Sequence, residues 1–147
     1  DVVVGRSGWE QQLAANKESF IGSWVERAAF RAAYDSLSND AYIAALVSNT
    51  ELSYAQGERD ALLSGLNAGS LSRANVLEQI VISENFAKAR FNEAFVIMGY
   101  FGYLRRDPDE NGYQFWLNKL NRFGGNFEQA EMVKAFIVSG EYRARFR

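Results

Sequence analysis

Leu104-Arg105-Arg106-Asp107-Pro108-Asp109-Glu110-Asn111-Gly112-Tyr113-Gln114-Phe115-Trp116-Leu117 holds the chain's single proline and one of its three tryptophans. The stretch predicts a helix start. Asp107 is the expected cap, its carboxylate accepting from a free backbone N–H of the first turn. Pro108 then falls at the first helical position, where a missing N–H costs nothing. Glu110 falls at the third, so Asp107-x-x-Glu110 resembles a capping box with Asp in place of Ser or Thr. Asp107, Asp109 and Glu110 also suit the positive end of the helix dipole. Beyond the cap, Tyr113, Trp116, Leu117 and Leu120 repeat at helical spacing and form one apolar stripe. Gly112 lies one turn in, where close approach of another backbone would account for a missing side chain.

The same residues admit a second reading. Asp107-x-Asp109-x-Asn111-Gly112 is the first half of a calcium loop, with oxygen ligands at alternate positions and Gly at the turn. The second half is missing. Asn118 stands where that loop needs a bidentate Glu, and Gln114 stands where it carries an apolar residue. Calcium on Asp107, Asp109 and Asn111 is therefore the alternative, and a capped helix start the expectation.

The bounds are those of a folded helical protein. The chain has 147 residues, 48% hydrophobic and 14% aromatic, with a net charge of −2. That length suits one compact unit or two small repeats sharing a core. The scattered basic residues give no footprint for nucleic acid. No apolar run approaches the roughly 20 residues of a membrane span, and Phe95 to Leu104 reads as a buried helix. There is no Cys and no His. This removes Cys/His zinc sites, thiol catalysis and triads with His as base. The start at Asp1, without Met, is read as that of a mature or excised fragment.

The pattern predicts an all-α fold: two helical repeats packed into one compact domain, with an N-terminal helical extension. Asp1 to Gly8 is a lead-in whose valines suit a short strand or an apolar strap. Trp9 to Asn16 is a short helix. Ser19 to Leu37 is a longer one, with core rows Phe20, Trp24, Ala28, Ala32 and Val25, Ala29, Ala33. Ser36 to Asp40 turns the chain. Helices follow at Ala41 to Val47 and Leu52 to Leu66, the second closed by Gly69. Ser72 caps the next, with Val76, Leu77, Ile80 and Val81 inward. Ser83 to Phe91 is a short segment. Glu93 to Arg106, apolar on almost every side, is the expected central buried helix. Asp107 to Phe123 follows, then the break Gly124-Gly125. Asn126 caps Phe127 to Val138, and Ser139 to Phe146 ends the chain.

The list repeats itself. Val76 to Phe86 lies over Met132 to Tyr142 with every apolar position kept, including Ser83 over Ser139. Ala89-Arg90-Phe91 matches Ala144-Arg145-Phe146, and Ala41-Tyr42-Ile43 lies over Ala94-Phe95-Val96. Residues 40–91 and 93–146 thus read as two copies of one unit, after an N-terminal stretch 1–39. The first copy lacks the Asp-Pro-Asp cap and the tryptophan.

Tyr103-Leu104-Arg105-Arg106-Asp107-Pro108-Asp109-x-x-Gly112-x-x-Phe115-Trp116-Leu117 resembles the core motif of a bacterial repeat family, domain of unknown function number 4214. Its pattern runs Tyr-x-x-Leu-Gly-Arg-x-Pro-Asp-x-x-Gly-x-x-Tyr-Trp, with Ser-x-Glu-Phe near the end. Arg106, Pro108, Asp109, Gly112 and Trp116 match, as do Ser139, Glu141 and Tyr142, with Tyr in place of Phe. Arg105 departs from the family's glycine and Phe115 from its tyrosine. The second copy matches well, the first weakly, and residues 1–39 not at all.

The resemblance implies a helical module, remotely similar to phycobilisome linker domains, within a secreted or cell-envelope bacterial protein. It assigns no catalytic residue and no cofactor. Arg106 and Asp109 would be a structural pair or a cap contact, with Asp107, Pro108, Glu110, Gly112, Trp116, Ser139, Glu141 and Tyr142 completing a structural motif. The expected function is a non-catalytic interaction or assembly module with a protein partner, no nucleic-acid partner and no transmembrane segment. An accessory subunit docked on a membrane complex is the alternative, which solvent-facing Phe115, Phe123 or Tyr113 would support. A glycoside hydrolase built on two of the 18 acidic residues comes last. No spacing selects such a pair, and no nucleophile elbow or phosphate loop occurs.

Overall fold

A computed structural model describes residues 2–146, and every regular element among them is helical. The elements are α1 Trp9–Val25, α2 Ala28–Tyr34, α3 Asn39–Thr50, α4 Gln56–Asn67, α5 Arg73–Val81, α6 Glu84–Gly99, a π-helical turn Tyr100–Leu104, α7 Glu110–Arg122, α8 Met132–Val138 and α9 Gly140–Ala144. The expected all-α class is what the chain adopts. No helix among the described residues is long and apolar enough to cross a membrane. The chain divides into two compact units, residues 1–86 and 87–147, with the division falling inside α6.

In the N-terminal unit, α3, α4 and α5 bury Tyr42, Ile43, Leu46, Leu62, Val76 and Ile80, and α2 lays Phe30 and Tyr34 against them. Fully burying a side chain of this size stabilises by about 1.5–3 kcal/mol, so these contacts define the unit. Burial pushes the Tyr42 hydroxyl up to about 12, and that hydroxyl donates to the Arg73 carbonyl at 2.8 Å. Arg73 in turn ties down the α2–α3 connection, donating to the carbonyls of Tyr34 and Leu37. Ser38 caps α3 by accepting from the Ala41 N–H. Ser72 and Asn75 form the reciprocal box at the start of α5. Gly69, at φ 70°, closes α4 in the left-handed turn its position predicts.

In the C-terminal unit, Val96, Tyr100, Leu104, Leu120, Ala130, Met132 and Phe136 form the core. Gly125, at φ 83°, leaves room for the Asn92 amide, which a Cβ there would meet at 2.8 Å.

Several boundaries differ from the sequence reading. The N-terminal pair is one helix through Val25, because nothing between Asn16 and Ser19 breaks it. The break comes at Arg27, whose backbone is extended and whose guanidinium lies 3.9 Å from the centre of the Trp24 ring. Phe20 and Trp24, expected in the core, are exposed, and Ile21 is the buried residue of α1. Val3 and Val4 are exposed in a turn and form neither strand nor strap; Asp1 lies outside the described residues. The segment from Ser83 runs on into α6, which buries Val96 and Gly99 and exposes Ile97 and Met98. It is not buried on every side. Of the helix expected over Phe127–Val138 only Met132–Val138 forms; residues 127–131 are turns, ending at Glu131, at φ 53°. That kink turns both Ala130 and Met132 inward, each 0% exposed, which two residues in a straight helix could not achieve.

The units share internal details. The Asn39 amide donates to Asn67 at 2.9 Å, and the Asn92 amide to Asn121 at 2.8 Å. Ser83 donates to the Ile80 carbonyl and accepts from the Phe86 N–H. Ser139 does the same with Phe136 and Tyr142. Glu51 and Arg105 both sit at φ 59°. The stretch from Asn92 to Arg105 is one residue longer than that from Asn39 to Glu51, and the π turn takes up the extra residue.

Leu120→Ala is expected to cost about 2–5 kcal/mol in urea denaturation, because a 0% exposed residue leaves a cavity. Met98→Ala, at a 65% exposed position, should stay within about 0.5 kcal/mol.

Candidate functional site

The motif residues meet where α7 and α9 begin. Arg106 follows the π turn and sends its guanidinium to Glu141, Nε donating to Oε1 at 2.7 Å and Nη2 to Oε2 at 3.2 Å. This is the two-pronged geometry that suits arginine and not lysine. Nη1 donates to the Asp107 carbonyl at 2.9 Å and lies 3.5 Å from Asp109 Oδ2. The cation also sits 5.0 Å from the centre of the Tyr100 ring. The hydrogen bond to Glu141 is the main cause that raises the guanidinium's pKa.

The cap is Asp109, not Asp107. Asp109 is extended and its Oδ1 accepts from the Gly112 N–H at 2.9 Å. The helix begins at Glu110, so Pro108 lies before it and not at its first position. Asp107 meets Arg106 through its carbonyl, not its carboxylate. Arg106 holds the Asp109 carboxylate from the other side and thereby selects the later of two candidate caps. Glu110 does not reach back; it accepts from Gln114 Nε2 at 3.0 Å. The Asp109 carboxyl is held below the usual carboxylate range, first by the Gly112 N–H.

Gly112 is explained by a side chain and not by a backbone. A Cβ there would overlap the Tyr100 hydroxyl. Tyr100 is 3% exposed, and its hydroxyl is pushed up by burial and then by the Asp109 charge. Sequence reasoning passed over Tyr100. The available signal was Gly112 itself, which has to make room for something large.

Across the site, Ser139 caps α9 and places Glu141 in its first turn, opposite Arg106. Tyr142 packs on Tyr103 with ring centres 6.2 Å apart. Trp116 stacks edge-on against Phe136 at 5.4 Å and meets Phe115 at 4.9 Å. The structure therefore brings together Arg106, Asp109, Gly112, Ser139, Glu141 and Tyr142, leaving Asp107, Pro108, Glu110 and Asn111 at the margin. Among the described residues no group of three or more acidic side chains is placed to hold a metal ion. The carboxylate of Asp109, central to the calcium alternative, already faces a guanidinium and a helix start. Such an arrangement locks two helix starts and the turn between them.

Arg105 stands in the left-handed conformation at φ 59°. That conformation costs a side-chain-bearing residue about 1–2 kcal/mol and costs glycine almost nothing. The position is the one where the resembling family pattern carries glycine.

A family model described as Domain of unknown function (DUF4214) matches residues 77–146. No curated protein and no solved structure matches the chain.

Asp109→Ala should destabilise by about 1 kcal/mol in thermal or urea melts through the lost cap, and Asp107→Ala by less than about 0.5 kcal/mol. A depressed carboxyl adds stability above its unfolded pKa of about 3.9, and the gain is lost as pH falls through the lower folded value. Asp109→Asn keeps a cap without the charge, so its melting midpoint should fall less than that of the parent chain between about pH 5 and about pH 2. Arg105→Gly should raise stability by up to about 1 kcal/mol, relief of the left-handed strain outweighing the entropy of a freer unfolded chain.

Proposed function

We propose that the chain, whose residues 77–146 match the DUF4214 family model, is a non-catalytic interaction module of a larger secreted or cell-envelope protein. One observation carries the reading. Arg106, Asp109 and Glu141 of the motif are engaged with one another and with helix ends, while large apolar side chains of the same unit face solvent. Met98 is 65% exposed, Phe115 58% and Phe101 43%. Exposed apolar surface of this kind is what a protein partner covers.

The charges support the same reading. A general acid needs a carboxyl pushed up towards neutrality. The carboxyls with a clear shift here, Asp109 and Glu131, are held down by N–H donors and cations.

We further propose that residues 40–91 and 93–146 are two copies of one helical unit. The paired asparagine amides, the matched serine caps and the shared left-handed residues support this. Docking to a membrane complex is the second reading. It is favoured by the exposure of Phe115 and of Phe123, while Tyr113 is half-buried.

The test is capture from an envelope fraction of the source cell by the immobilised chain. Phe101→Asp with Phe115→Asp should abolish capture while leaving the melting midpoint within about 2 °C, as expected for exposed positions. Capture that survives both substitutions, or turnover of a glycan by the purified chain, would sink the proposal.

A further inference from the structure

The chain holds one Asn-Gly pair, Asn111-Gly112, and the fold sets it in the first turn of α7. Asn-Gly is the sequence in which asparagine loses its amide most readily, since glycine leaves its own backbone nitrogen unshielded. In that reaction the Gly112 nitrogen gives up its proton to base and attacks the side-chain carbonyl carbon of Asn111. The bond to the side-chain nitrogen breaks and ammonia leaves. Water then opens the resulting cyclic imide at one carbonyl or the other, giving aspartate or isoaspartate. Asn111 is exposed, so water and base reach it.

The attacking nitrogen is the one that Asp109 caps. The Gly112 N–H donates to Asp109 Oδ1 at 2.9 Å, and Arg106 Nη1 lies 3.5 Å from the other oxygen of that carboxylate. The cap opposes the attack in two ways. It holds Gly112 in the helix, while attack needs a rotation of the Asn111 backbone out of helical geometry. It also sets a carboxylate against the proton that must leave, so the nitrogen anion would form facing a like charge. Reaction therefore waits on opening of the first turn, and helix ends are where such opening is easiest.

The two products differ in what they do to α7. Aspartate adds a charge at the positive end of the helix dipole, which favours it. Isoaspartate carries the main chain through the former side chain and adds a carbon between residue 111 and Gly112. Gly112 has no room to take up that length. It faces the Tyr100 hydroxyl so closely that a Cβ would overlap it, and Tyr100 is 3% exposed. The Gly112 N–H is displaced from Asp109 and the cap is lost.

We propose that Asn111-Gly112 is a spontaneous modification site, which the Asp109 cap holds closed in the folded chain and whose conversion to isoaspartate releases the start of α7. The reaction needs only water and base, so it is independent of the exposed apolar surface and its partner.

The experiment is ageing of the whole chain in mildly alkaline buffer, well below its melting midpoint. Isoaspartate at position 111 is followed by peptide mapping with electron-transfer fragmentation, which separates it from aspartate. Asp109→Ala should form it about fivefold faster than the parent chain, the factor by which a lost cap raises the open first turn. Asp109→Ser, which keeps a capping oxygen, should stay close to the parent rate. Ser38→Ala removes the cap of α3 in the other unit and should leave the rate at position 111 unchanged. In denaturing urea all four chains should age alike. The isoaspartate fraction, isolated by ion exchange, should melt several degrees below the fresh chain, and Asn111→Asp should melt with it. Equal folded-state rates in the parent and Asp109→Ala, equal acceleration by Ser38→Ala, or an isoaspartate fraction that melts like the fresh chain would overturn the proposal.

Discussion

The fork between Arg106 and Glu141 is the contact on which the C-terminal unit's architecture turns. Each group is about two-fifths exposed, so the pair by itself adds only a modest fraction of a kilocalorie to about one. Its weight lies in what it joins. Arg106 sits just beyond the π turn, beside the cap of α7, and Glu141 sits in the first turn of α9. Closing that fork fixes where α7 starts, which carboxylate caps it and how the last helix returns. The planar guanidinium reaches Glu141, the Asp107 carbonyl and Asp109 at once and lies over Tyr100, which no single ammonium could do.

The N-terminal unit does the corresponding work with different chemistry. At the start of α4 the position of Asp109 is taken by Ala55, whose methyl group offers no acceptor. Glu58 reaches back instead to the Ala55 N–H at 2.8 Å. One unit thus keeps the capping carboxylate and the other the reaching-back glutamate, each half of a reciprocal box. The same exchange runs through the core, where rings in one unit are matched by aliphatic side chains in the other.

How far the sequence could be read follows from where the information sits. Glycine and serine punctuation is local, and Gly69, Ser72 and Ser139 act where their positions predict, whereas Asn126 caps only a turn and α8 starts later, at Met132. The all-α class and the motif around Arg106 were legible for the same reason. The misread boundaries lie where no local signal exists. Arg27 breaks a helix without glycine or proline, and Glu131 adopts a left-handed turn because Ala130 and Met132 both gain burial. Asp107 and Asp109 are equivalent as caps until Arg106 is held by a glutamate far along the chain. The Tyr100 hydroxyl was invisible for a like reason: its contact with Gly112 is made across the fold, and only the missing side chain hinted at it.

The π turn at Tyr100–Leu104 acts as a phase corrector. An α-helix advances about 100° per residue, so one added residue would swing everything beyond it to another face. Here the wider turn absorbs that residue in place, and Val96, Tyr100 and Leu104 all stay in the core. The chain length between the first core position and the Arg106 fork is therefore set to a single residue. Loss of any one residue from the turn would restore a regular helix and point the guanidinium away from Glu141, leaving both helix starts without their common clasp.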